Sequence, residues 1–167
     1  MFRRDKGSKR GGGSPEETYQ GLRSIAFGAA SSGQIPRHDD HPDVYGLVID
    51  MPRQGGYATV VALGDSTTSM YTSTGGGVIG AGGRPAVAAS SRRLLTVTQD
   101  YLEFFTGDED GSLPPLGTVR LHVLTSQAPR IADIPGEAFW GKSPHPLLPL
   151  IAAAQEVISG LRNASTG

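Results

Sequence analysis

The sequence predicts an α+β fold of two layers, with an antiparallel sheet of about five strands and the element order α-βββ-α-ββ-α. Three observations carry this. Between residues 44 and 73 three apolar or β-branched runs follow one another across short turns, and strands joined by short turns must run antiparallel. Residues 84–105 and 146–162 carry apolar side chains at helical spacing. Residues 118–125, TVRLHVLT, alternate with period two: Val119, Leu121 and Val123 face one way, Arg120, His122 and Leu124 the other.

Each element has its own local cause. Ser14, Pro15 and Glu17 occupy N-cap, N1 and N3 of a capping box, so a helix starts there. Tyr19, Leu22, Ile25 and Ala26 then give it a packing face up to about residue 28. Residues 30–42 show no periodicity and read as a loop. The run 44–51, VYGLVIDM, is bounded by Pro42 and Pro52, too short for a helix and apolar enough for a strand. PRQGG connects it to 57–63, YATVVAL. Gly64 and Asp65 then turn the chain into 67–73, a Ser/Thr-rich strand with Met70 and Tyr71. The helix at 84–105 places Val87, Ala88, Leu94, Leu95, Tyr101, Leu102 and Phe105 toward the body. GDEDGSLPPLG ends it, 129–134 returns as a short strand after 118–125, and Phe139 and Trp140 lie on a connector. The last helix stripes Leu147, Leu150, Ile151, Ala154, Ile158 and Leu161 along one side.

The 167 residues suit one domain, residues 14–167, able to bury about two thirds of its unfolded surface. Cysteine is absent, which excludes disulfides and thiolate metal or redox sites. No apolar run approaches the roughly 20 residues that span a bilayer. The basic residues Arg3, Arg4, Lys6, Lys9 and Arg10 have no apolar segment behind them, so a soluble cytoplasmic protein is expected, with no membrane partner. Residues 1–13 read as a flexible basic tail. Five basic residues without aromatics attract nucleic acid only weakly, and nucleic acid is not an expected partner.

Six glycines lie between Thr72 and Pro85, and Gly75, Gly77 and Gly80 satisfy G-x-G-x-x-G. A dinucleotide turn needs a buried parallel strand before the glycines, whereas here the preceding strand closes an antiparallel meander. A looser anion site remains readable in Thr72, Ser73, Thr74, Gly75, Gly76, Gly77, Gly80 and Arg84, from hydroxyls, free amides and one cation. The alternative is a structural turn. HDDHPD clusters His38, Asp39, Asp40, His41 and Asp43. His38 and His41 are candidate ligands, but a flexible loop lacks the second set of hydrogen bonds that would fix them, so a solvated turn without metal, and no cofactor, is expected. His122 and His145 read as structural. No G-x-S-x-G or S-x-x-K occurs, and the acids Asp108, Glu109 and Asp110 sit in a Gly-rich loop where they stay hydrated.

Alternation puts Tyr45, Leu47, Ile49 and Met51 with Tyr57, Val61, Leu63, Val119, Leu121 and Val123 on one expected sheet face. The other presents Val44, Gly46 and Val48 beside Ala58, Val60 and Ala62, small and apolar, which something must cover. The first helix is one candidate cover; the expectation favours a second subunit or partner, with Val44, Val48, Val60 and Trp140 as interface residues.

The element order α-βββ-α-ββ-α over residues 15–162 resembles the type III secretion chaperone fold, and STGGGVIGAGG resembles a stretch of uncharacterised bacterial proteins with no assigned activity. The first resemblance implies a non-catalytic, homodimeric protein-binding or chaperone-like module that holds another polypeptide. The alternative is a small-ligand domain, for an anion or nucleotide, or an enzyme, using loop 72–85.

Overall fold

Ser14 opens the first helix, α1 (Pro15–Ser31), as its sequence requires: its Oγ accepts from the Glu17 amide at 3.2 Å and Glu17 Oε2 accepts from the Ser14 amide at 2.9 Å. A cap of this kind is worth about 1 kcal/mol. The computed structural model describes residues 12–107 and 111–166. After α1 come β1 (Gly46–Arg53), β2 (Gly56–Leu63), β3 (Thr68–Thr72), β4 (Gly77–Val78), α2 (Pro85–Asp100), β5 (Thr118–Leu124), β6 (Arg130–Pro135), the single turn α3 (Gly136–Phe139) and α4 (Leu148–Ser165). The basic tail up to residue 11 and Asp108, Glu109 and Asp110 lie outside the described residues.

The strands form one antiparallel sheet in the order β4-β3-β2-β1-β5-β6. The predicted class and element order hold, with β4 added as a sixth strand inside the glycine run. Because β1 sits between β2 and β5, its side chains have neighbours on both sides. Helices α2 and α4 pack on one face over Leu47, Ile49, Met51, Val60, Leu121, Val123 and Ile134. The predicted stripe of α4 is buried there throughout. α1 lies over the other face, where Tyr19 and Ala26 meet Val48, Val61, Leu63, Tyr71 and Leu124.

The predicted faces of the sheet need correction. β1 and β2 extend to Arg53 and Gly56, leaving the two-residue turn Gln54-Gly55, with Gly55 at φ +82°. That register pairs Ile49 with Val60 and Val48 with Val61, and paired residues share a face. Odd positions of β1 therefore join even positions of β2, opposite to the expectation. Val60 belongs to the core under α2 and α4, and Val48 lies beneath α1. Val44 is buried as well. The small apolar face on which an interface at Val44, Val48 and Val60 rested is thus covered by the chain's own helices. Within α1 the buried positions are Tyr19, Arg23 and Ala26, while Ile25 is 71% exposed. An arginine occupies the middle of the stripe.

Candidate functional site

Arg23 explains that stripe. On the α1 face of the sheet, Asp50 is fully buried in β1 and receives Arg23 Nε at 3.2 Å and Nη2 at 2.5 Å. Thr59 Oγ1 donates to Asp50 Oδ1 at 2.6 Å, and His122 Nε2 donates to Oδ2 at 2.7 Å. Since the Thr59 proton goes to Asp50, the Tyr19 hydroxyl donates to Thr59 Oγ1 at 2.7 Å. Arg23 also reaches the Gly111 carbonyl at 2.9 Å. Burial alone would raise the Asp50 pKa; hydrogen bonds from His122 and Arg23 outweigh it and hold the carboxyl below its ordinary value. Burial pushes the Tyr19 phenol up to about 12, against the hydrogen bond to Thr59, and raises Tyr71 also. Through Arg23–Asp50 and Tyr19–Thr59 this network fastens α1 to the sheet.

A second cluster lies on a cavity. In the loop between α1 and β1, His38 and His41 form an antiparallel bridge with Asp39 and Asp40 at the tip of the turn. His38 Nε2 donates to the Gly64 carbonyl at 2.5 Å, and His41 Nδ1 donates to the Val44 carbonyl at 2.8 Å. The rings stand 4.7 Å apart. Arg92, on α2, donates through Nε to Asp40 Oδ2 at 3.0 Å, which leaves Oδ1 3.9 Å from His41 Nε2. That hydrogen bond holds the Asp40 carboxyl below its ordinary value, against some desolvation. Asp43 and Gln99 bind each other twice at 2.9 Å and tie the same loop to α2. One ligand atom from each of His38, Asp40 and His41 lies within 4.8 Å of the other two. Beside them is a cavity of about 340 Å³, walled by Leu63, Ala88, Leu95, Ser66, Ser91 and Arg92. Ser66, at its rim, holds φ +72°, a conformation that a non-glycine residue adopts at some cost.

The expectation of an unsupported loop is therefore corrected. Each imidazole has one nitrogen pinned by a backbone carbonyl, the arrangement that fixes ring orientation and leaves the other nitrogen to accept or ligate. The carbonyls come from Gly64, in the turn between β2 and β3, and from Val44, so one of them was invisible to any local reading of HDDHPD. Arg92 was missed for the same reason. Asp50 had a signal: a lone carboxylate in an otherwise apolar strand, with an arginine at a stripe position of α1 and a histidine in β5.

The glycine-rich residues are placed differently from an anion cradle. Thr72 Oγ1 donates to the Gly75 carbonyl at 2.6 Å, the Thr72 amide to Gly76 at 3.1 Å and the Gly75 amide to Thr72 at 3.2 Å. Ser73 Oγ accepts from the Tyr57 amide, the Gly80 amide binds Ser69 Oγ, and Thr74 pairs with Thr72. Gly77 lies in β4 opposite Tyr71. Arg84 turns away to the Ala164 carbonyl in the last turn of α4, at 3.3 Å. Thr72, Thr74 and Gly75 thus close the β3–β4 turn, while Ser73 is spent on β2, the Gly80 amide on β3 and Arg84 on α4. Trp140 is 44% exposed and meets Phe139 edge-on. Among the described residues no helix is long and apolar enough to cross a membrane. No protein-family model, no curated protein and no solved structure matches the chain.

Proposed function

We propose that this chain is a metal-binding domain that holds one divalent transition-metal ion, zinc in the first instance, through His38, Asp40 and His41. The observation that carries the reading is the convergence of these three donors with both imidazoles already oriented by carbonyls. Two nitrogens and one carboxylate oxygen suit zinc, nickel or cobalt rather than calcium or magnesium, which prefer oxygen. Bonds of about 2.0–2.2 Å set tetrahedral donors roughly 3.5 Å apart. Closing the site from 4.8 Å asks for small rotations of the Asp40 carboxylate and the imidazoles. Three protein ligands leave a further coordination position, as sites that act on a ligand do and closed structural sites do not. The neighbouring cavity gives that position somewhere to open.

The test is elemental analysis and zinc titration of protein purified without a histidine tag. About one metal per chain is expected at saturation, lost in His38→Ala and in His41→Ala while both variants stay folded. Absence of stoichiometric binding, or its persistence in both variants, refutes the reading.

A further inference from the structure

Building on the metal reading, we propose that the open side of this centre takes a small organic carboxylate, its charged end shared between the metal and Arg92 and its short aliphatic body along the α2 wall of the cavity. Charge points to an anion. A divalent ion bound by two neutral imidazoles and one carboxylate keeps a net positive charge, and Arg92 stands beside it. Arg37 and Asp39, which line the adjoining surface with Arg92 and Asp40, offset each other. Arg92 uses only Nε on Asp40. Its two terminal nitrogens have no partner among the described residues, and its side chain is 68% exposed, so a fork remains for a planar oxyanion.

The wall selects among oxyanions. Leu63, Ala88, Ala89 and Leu95 give the cavity an aliphatic side, lined further by Gly64, Ser66 and Ser91, whose hydroxyl already accepts from Thr68. Phosphate, with more charge and no apolar part, would bring hydration against that side without enough donors to replace it. A carboxylate with a short alkyl chain matches both halves. The volume of about 340 Å³ stands at the small end of ligand sites, which suits a body of a few carbons.

The experiment uses the cobalt-loaded full chain, whose visible absorption reports the ligands around the ion, titrated with butyrate and separately with inorganic phosphate. Butyrate is expected to shift the cobalt bands saturably, and phosphate to act only at much higher concentration. At saturating cobalt, Arg92→Gln should weaken butyrate by about tenfold or more, the loss of a charge-assisted hydrogen bond. Ala88→Leu narrows the cavity without touching a ligand residue. It should weaken butyrate similarly and leave cobalt affinity unchanged. If cobalt does not bind at all, the metal reading fails and this inference with it. Cobalt bands that butyrate leaves unmoved, or that phosphate shifts equally well, overturn the carboxylate assignment alone. Unchanged butyrate affinity in both variants removes it from this cavity.

Discussion

Replacing Arg23 with alanine should be among the most damaging single changes in this chain. The guanidinium supplies two hydrogen bonds to a carboxylate with no solvent exposure and one to the Gly111 carbonyl. Its removal leaves Asp50 charged, buried and held only by Thr59 and His122. Breaking a buried ion pair from one side costs about 3–5 kcal/mol. The side chain also lies over the Tyr19 and Phe27 rings, 5.9 and 5.3 Å from their centres, so its stem is lost from the packing too. With a urea m-value of about 2 kcal/mol/M, the unfolding midpoint should fall by about 1.5–2.5 M. Arg23→Lys should fall between, since a lysine keeps the charge but loses the two-pronged geometry. Arg93, whose pair with Glu156 at 3.6 Å is exposed on both sides, is the internal control. Arg93→Ala should cost below about 1 kcal/mol and lose even that at high salt. Equal costs for Arg23→Ala and Arg93→Ala in urea melts followed by circular dichroism would refute the assignment of Asp50 as a buried, paired anion.

The same cluster sets the pH limits of stability. Asp50 titrates below its ordinary value when folded, so the unfolded carboxylate, near 3.9, takes up its proton first. Stability from Asp50 is complete above that range and declines as pH falls through it toward the lower folded value, and Asp50→Asn should flatten this acid limb in pH-dependent melts. Tyr19 moves oppositely. Its folded phenol is pushed up to about 12 while the unfolded one ionises near 10, so stability is complete below about 10 and is lost as pH rises toward 12; Tyr19→Phe should blunt that alkaline loss. Gly77→Val should destabilise strongly, because at φ +148° a Cβ would collide with the Met70 carbonyl oxygen and stand 2.7 Å from Tyr71 Cα, whereas Gly80→Ala, at φ +69° in open space, should cost about 1 kcal/mol. Val48→Lys and Val60→Lys should each abolish cooperative melting, since both positions are fully buried within the chain; a folded monomer carrying either lysine by light scattering and calorimetry would contradict the placement.

Local signals made much of the fold readable. A capping box is complete within four residues, so Ser14 announces α1 by itself. The stripe of α4 repeats often enough to fix its buried side, and TVRLHVLT alternates so regularly that β5 is legible from end to end. Parity was harder. One residue more or less in the turn after Arg53 exchanges the faces of β2, and PRQGG permits either length. β4 is two residues long and made of Gly77 and Val78, below any periodicity. The His38–Asp40–His41 cluster needed knowledge of what faces HDDHPD. Its imidazoles are steadied by Gly64 and Val44, and its carboxylate by Arg92, 52 residues away. Residue types there pointed to ligands, while the distant partners that orient them left no mark on the local sequence.

The placement of α1 has a consequence for biosynthesis. It is the first described element to leave the ribosome and, among the described residues, the only helix on its side of the sheet, yet some of the groups that seat Arg23 arrive late. Asp50 follows 27 residues on and the Gly111 carbonyl 88, and His122, on β5, later still. Until that strand pairs with β1, the helix can lay Tyr19 and Ala26 on Val48, Val61, Leu63 and Tyr71, but Leu124 and the His122 bond to Asp50 are missing from its seat. Closing so long a loop is slow and comes after the local hairpins. The α1 side of the β1–β2–β3 meander is therefore only partly seated during part of translation, and the docking of α1 is completed once β5 is in place. Pulse-labelled hydrogen exchange during refolding should find the amides of α1 protected after those of β1 and β2. A chain stalled before residue 118 should be the species most prone to aggregate.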